Sequence, residues 1–190
     1  MSIDVTGLTT NSIDHQPNHH SETPQSSGDD RIRILPPAAD HGAAMWRVAR
    51  DSGTLDLNTS YAYLLMARDF AATTRVALQD GEVVGFVLGY RRPDAPQTLF
   101  VWQIAVDDVA RGRRIGARLL DSLVDDLSDV TTLETTITAD NAASNRLFAS
   151  FAERHGAAHS TQPLFAEADF PDEGHPTEHL HVIGDLGSTH

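Results

Sequence analysis

A chain of 190 residues is long enough for one domain with a good core and short for two. It has no cysteine, which excludes disulfides, thiolate metal sites and a cysteine nucleophile. The formal net charge is −13 and the 14 basic residues are all arginine, a balance that repels phosphodiester backbones and argues against general nucleic-acid binding.

Residues 1–30 are rich in Ser, Thr, Asn, Asp, Gln and His and carry no apolar periodicity. They cannot bury enough surface to offset ordering entropy, so a disordered tail is expected, with His15, His19 and His20 solvated in it. No basic segment followed by an apolar stretch marks a secretory signal, and no apolar run approaches bilayer length. A soluble, cytoplasmic domain over residues 31–187 is expected, with 188–190 disordered.

The ordered part starts with the alternation of Arg31–Leu35, a strand ended by Pro36 and Pro37. Asp40 is positioned to cap a helix carrying Met45, Trp46, Val48 and Ala49. A loop of capping residues, 53–60, leads to a second helix with Tyr61, Leu64, Leu65 and Phe70 as its apolar positions. Strands at 74–79 and 82–90 flank Asp80-Gly81, a strong hairpin signal. Residues 91–97, with Pro93 and Pro96, read as a loop before a long strand at 98–107. From 114 to 127 the positions Ile115, Leu119, Leu120, Leu123, Val124 and Leu127 recur at helical spacing. A β-branched strand follows at 131–138, a helix at 141–154, a weak strand at 157–165, a loop, and a final strand at 178–183. Strands joined first by hairpins and then by helices predict an α/β domain with a mixed, mostly antiparallel sheet and helices on its faces.

The most informative stretch is Ile104-Ala-Val-Asp-Asp-Val-Ala-Arg-Gly-Arg-Arg-Ile-Gly-Ala117, where a strand passes through an Arg/Gly-rich turn into an amphipathic helix. Unpaired N–H groups and the partial positive charge of a helix N-terminus suit a pyrophosphate. Gly112 and Gly116 let the backbone come close, and Arg111, Arg113 and Arg114 add positive charge. Here the chain resembles the GNAT acetyltransferase superfamily, whose Gln/Arg-x-x-Gly-x-Gly/Ala motif binds the pyrophosphate of acetyl-CoA. Arg111 and Gly116 match, whereas Arg114 stands at the first motif glycine, an arginine compatible with a negative φ. Asn141-Ala-Ala-Ser-Asn-Arg-Leu-Phe148 resembles the second family segment.

The resemblance implies the GNAT fold, acetyl-CoA as cosubstrate, no metal, and a cofactor site from Ile104, Ala105, Val106, the 111–117 turn (Ile115 and Ala117 included), Asn141, Asn145 and Phe148. A backbone N–H near Ile104–Val106 would polarise the thioester carbonyl. The family often has a tyrosine where Phe148 stands, as general acid for the departing thiolate; phenylalanine cannot serve so.

Three segments, 51–61, 98–106 and 133–141, resemble the GNAT family that acetylates L-2,4-diaminobutyrate in ectoine biosynthesis. That likeness implies transfer to the 4-amino group and, from superfamily habit, a homodimer. Asp56, Asn58, Tyr61, Trp102, Gln103 and Glu178 become the acceptor-site candidates, with Trp102 and Gln103 on opposite strand faces. Glu178 and Asp56 are the carboxylates for catalysis, with Asp56 assigned as the anchor for the α-ammonium; the base is Glu178, Asp56 or a nearby histidine, and the sequence does not choose among them. The bland alternatives are core packing for Trp102 and a helix cap for Asp56. His175, His179 and His181 suggest chelation by spacing, but structural roles stand ahead of a metal. Two other functions fit the cofactor loop: a GNAT enzyme for another small amine, and a non-catalytic acyl-CoA-binding module.

Overall fold

The computed structural model describes residues 32–187 apart from Thr54 and Asp172. The expected polar tail, 1–30, and the last three residues lie outside the described residues. Seven strands form one sheet in the order β1-β2-β3-β4-β5-β7-β6. They are β1 (Ile32–Leu35), β2 (Thr74–Gln79), β3 (Glu82–Arg92), β4 (Ala95–Val106), β5 (Thr132–Thr138), β6 (Ala158–Phe165) and β7 (Glu178–Gly184). Among the described residues only β4 and β5 pair in parallel. The helices are α1 (His41–Ser52), α2 (Ser60–Asp69), α3 (Ile115–Asp125) and α4 (Ala142–His155).

Each sheet face is covered by two helices. Ile115, Leu119, Leu120 and Leu123 of α3 join Phe148 and Phe151 of α4 over Val87, Leu99, Val101 and Leu133. On the other face, Met45 and Val48 of α1 and Tyr63 and Met66 of α2 pack on Val76, Phe86 and Leu88. Burying one Leu or Ile side chain contributes about 1.5–3 kcal/mol, so the α3 stripe alone anchors that helix.

Several expectations change in detail. Asp40 makes no side-chain cap, because its own backbone is already helical at φ −72° and ψ −17°. The buried stripe of α2 is Tyr63, Met66 and Ala67. Tyr61, Leu64 and Phe70 are exposed instead, a shift that short helices with apolar residues on several faces allow. The loop expected over 91–97 shrinks to a tight turn, with Arg92 paired to Ala95 across it. The Asp80-Gly81 hairpin turn forms as expected, both residues having positive φ.

Two irregularities set up the site. The register of β3 against β4 shifts between Leu88 and Gly89, so that Gln103 and Val101 face consecutive residues and Trp102 is extra. A Cβ on Gly89 would collide with the Phe100 carbonyl oxygen, so the bulge needs glycine there. The second irregularity is a gap. β4 and β5 pair only from Thr98↔Thr132 to Phe100↔Glu134 and then diverge.

Candidate active site

The bulge resets the alternation of β4. Leu99 and Val101 belong to the core under α3, while beyond Trp102 it is Ile104 and Val106 that pack there and Ala105 that packs on the α1/α2 side. Trp102 and Gln103 therefore do not diverge to opposite faces as expected. Both line one cavity of 530 Å³. That cavity spans the β4/β5 gap, from Trp102 and Gln103 across to Thr136 and Thr138, and is closed by the Asp56–Asn58 loop and the 173–178 segment.

Gln103 organises one wall. Its Nε2 donates to the Asp56 carbonyl at 2.8 Å, and its Oε1 accepts from the Tyr63 hydroxyl at 2.8 Å. Burial holds the Tyr63 phenol above its ordinary pKa, so it remains a donor. The sequence had singled out Tyr61, but that side chain is 65 % exposed and does not line the cavity. The missed residue is Tyr63, two positions on, and its signal was the helical phase of α2.

Asp56 and Glu178 both reach the cavity, in different settings. The Asp56 side chain is 94 % exposed, with its carboxylate 3.7 Å from His175 Nε2. His175 stacks on Phe170 at 3.7 Å between ring centroids, which fixes the lip of the cavity. Glu178 Oε2 is buried and has no hydrogen-bond partner among the described residues. A buried carboxylate oxygen without a donor is costly, and a bound ammonium group would relieve it. An apolar cavity, with Phe100, Phe165 and Phe170 in its walls, adjoins this one through Trp102, Thr136, His175 and Glu178.

The Arg/Gly turn forms a second groove of 350 Å³ that starts at Val106 and runs between the N-terminus of α3 and α4. Arg111, Gly112, Arg114, Ile115, Gly116 and Ala117 all line it. Arg113 does not; its guanidinium bonds Gln79 Oε1 on β2 at 3.0 Å. Arg114 has φ +57°, against the expected negative value. The turn keeps the left-handed geometry that glycine adopts freely, because the chain must reverse there to start α3. The groove contains four arginines and no carboxylate, in a chain of net charge −13. A pyrophosphate fits that donor set, with the α3 N–H groups behind it.

Asn141 caps α4 by accepting from Ser144 N–H at 3.1 Å and also lines the acceptor cavity. Asn145 Nδ2 donates to the carbonyls of Thr138 and Asn141, tying α4 to the end of β5. Phe148, expected near the cofactor, is 1 % exposed in the core beneath α3 and lines none of these cavities. In sequence it lies between the groove-lining Leu147 and Ser150, but on the inner face of α4. Ile104 and Ala105 face opposite sides of the sheet and contribute backbone at the gap.

The histidines divide. His175 is at the acceptor cavity, whereas His179 and His181 line a neighbouring cavity beside α4 that shares Ile137 with it and Arg146 with the arginine groove. Among the described residues no group of three His, Cys, Asp or Glu could hold a metal ion. His181 bonds His159 at 3.0 Å, and burial, with those neighbouring histidines, lowers its pKa.

The family model for the acetyltransferase (GNAT) family matches residues 40–152. L-2,4-diaminobutyric acid acetyltransferase of Streptomyces coelicolor is 53 % identical over 162 residues, covering 83 % of this chain and 95 % of that one. The chain belongs to the GNAT acetyltransferase family, among its L-2,4-diaminobutyric acid acetyltransferases. The Marinococcus halophilus enzyme of that name is 40 % identical, covering 82 % of this chain and 91 % of its own. Among solved GNAT structures, diaminobutyrate acetyltransferase from Paenibacillus lautus, in complex with L-2,4-diaminobutyric acid and coenzyme A, aligns at TM-score 0.78 and 36 % identity. It covers 81 % of this chain and 95 % of its own.

Proposed function

We propose that this chain transfers the acetyl group of acetyl-CoA to the 4-amino group of L-2,4-diaminobutyrate, giving N4-acetyl-L-2,4-diaminobutyrate and CoA, in biosynthesis of the compatible solute ectoine. The observation that carries the reading is a pair of unlike spaces, linked by a cavity that shares Ile137 with one and Arg146 with the other. On one side is a carboxylate-free arginine groove; on the other is a polar cavity holding Glu178 and Asp56. A donor with phosphates and an acceptor with two ammonium groups need that division of charge. Streptomyces coelicolor and Paenibacillus lautus relatives bear the name of this activity.

The amine must attack as the free base. An alkylamine of pKa about 10.4 is only about 0.1 % neutral at pH 7.4, so the site has to take up a proton, directly or through water. Glu178 is the buried carboxylate in reach and is assigned the base. Asp56, with Gln103 holding its backbone, is assigned the α-ammonium. Selection of the 4-amine then rests on geometry, since the α-amine is the less basic and offers more neutral nucleophile in solution. Backbone N–H groups of β4 past Phe100, where pairing with β5 ends, are available to the thioester carbonyl.

We assign the enzyme to the cytoplasm as a homodimer that serves the response to osmotic stress. No helix among the described residues is long and apolar enough to cross a membrane. Leu164 and Phe165 of the outer strand β6 are exposed for a second copy. A thiol-release assay with diaminobutyrate and acetyl-CoA, with mass spectrometry and NMR on the product, tests the reaction. Absence of 4-acetyl product with this acceptor, or equal turnover of amines lacking an α-carboxylate, would refute it. Light scattering during gel filtration tests the dimer.

A further inference from the structure

We infer that Arg146 is the residue that recognises the 3′-phosphate of coenzyme A, and so makes the enzyme select CoA over its 3′-dephospho form. The inference rests on the acetyl-CoA reading above and adds a ligand subsite to it. Arg146 is in the second turn of α4 and lines the groove with Arg111, Arg114 and Arg154, at the edge where the groove joins the His179/His181 cavity. These four guanidinium groups are in unequal states. Arg111 is held by Asp108 at 2.7 Å, and Arg154 by Asp121 at 2.8 Å with a further contact to Ser150. Arg146 has no hydrogen-bond or ion-pair partner among the described residues and stands exposed.

An exposed, unpaired arginine is unremarkable by itself. Here it stands in a groove without carboxylates, in a chain with 27 acids that occupy most of its other guanidinium groups. The two phosphates of the pyrophosphate are matched by the α3 N–H groups and by Arg111 and Arg114 on the near wall. A 3′-phosphate is a monoester with charge of about −1.5 to −2 at pH 7. The ribose carries it away from the pyrophosphate, so the same N–H groups cannot serve both. The far wall must supply the next cation, and Arg146 is the guanidinium there that nothing else engages. Gly116 and Leu147 line the groove together, where α3 and α4 come close, a Cβ on Gly116 standing 3.5 Å from Leu147 Cδ2. The adenosine half is thereby kept between the two walls, within reach of both sets of arginines.

The test is direct calorimetric binding, with no turnover, of CoA and 3′-dephospho-CoA to wild type, Arg146→Ala, Arg146→Lys and Arg111→Ala. Wild type should bind CoA on the order of 10- to 100-fold more tightly than dephospho-CoA, as for a charged hydrogen bond. Arg146→Ala should lose that margin for CoA and bind dephospho-CoA like wild type, and Arg146→Lys should recover part of it as a point charge. Arg111→Ala should weaken both ligands alike. Equal binding of the two ligands by wild type, or an Arg146→Ala variant that weakens both equally or neither, overturns the inference while leaving the acetyl-CoA reading intact. Failure of wild type to bind either ligand refutes that reading itself. Because Arg146 is exposed and unpaired, its variants should melt like wild type, which a thermal scan checks.

Discussion

The Tyr63 hydroxyl donates to Gln103 Oε1 at 2.8 Å, and the same carboxamide donates from Nε2 to the Asp56 carbonyl. A buried side chain of α2 thus holds the strand residue that in turn holds the acceptor loop. Tyr63→Phe leaves the amide oxygen unsatisfied and should cost about 1–3 kcal/mol of stability. The loosened loop should raise KM for diaminobutyrate more than it lowers kcat. Chemical denaturation and steady-state kinetics check both, and an unchanged KM would detach the loop from the acceptor site.

Arg114 is held at φ +57°. Arg114→Gly should relieve left-handed strain of about 1–2 kcal/mol, offset by the about 0.4–1 kcal/mol of freedom that glycine adds to the unfolded chain. The variant should be as stable as wild type or slightly more so, yet need more acetyl-CoA. With Arg111→Ala added, KM for acetyl-CoA should rise strongly and KM for diaminobutyrate stay nearly constant. Calorimetry that found unchanged CoA affinity in the double variant would remove the turn from the site.

Phe148 is buried among Phe151 and the α3 leucines. Phe148→Tyr puts a hydroxyl into that apolar space without a partner, at about 1–3 kcal/mol. The melting temperature should fall while kcat and its pH profile hold. A gain in turnover would contradict the core assignment.

Asp56 and Glu178 are separated by their surroundings. Glu178→Gln removes a buried charge without opening a cavity and should cost roughly 30- to 4,000-fold in kcat/KM, the equivalent of about 2–5 kcal/mol. If it is the base, the 4-acetyl product persists and the rate climbs steeply toward alkaline pH. Asp56→Asn acts on an exposed, screened group and should cost less, about five-fold at most, but should release α-acetyl product. Product NMR across pH distinguishes the two; wild-type rate, product and profile in both variants would refute their placement at the acceptor site.

His181 is 4 % exposed, and burial and its neighbours His159 and His179 lower its pKa. The unfolded chain takes up this proton near pH 6.5 while the folded protein resists it. Stability should therefore be at its full value above that pH and fall as the solution is acidified below it. His181→Gln should flatten this acid limb below pH 6.5, as read by thermal melts. An identical slope in the variant would assign the acid sensitivity to other groups.

Periodicity placed most of the elements, because a helix or strand that buries one face must repeat at 3.6 or 2 residues. The Asp80-Gly81 turn, the α3 stripe of Ile115, Leu119 and Leu123, and the Arg111–Gly116 loop were legible for that reason, each being local. The resemblance carried by three short segments pointed to the acceptor. What only the tertiary structure decided came from long-range register. One extra residue in β4, tolerated because Gly89 has no Cβ, turned Trp102 and Gln103 into one wall. The phase of α2, short and apolar on more than one side, chose Tyr63 over Tyr61. Arg114 could not be assigned its positive φ from residue type, since the strain is overcome by the packing of α3 against the sheet. Phe148 and Arg146 are two positions apart on one helix, so their separation into core and groove depends on which face of α4 meets the core.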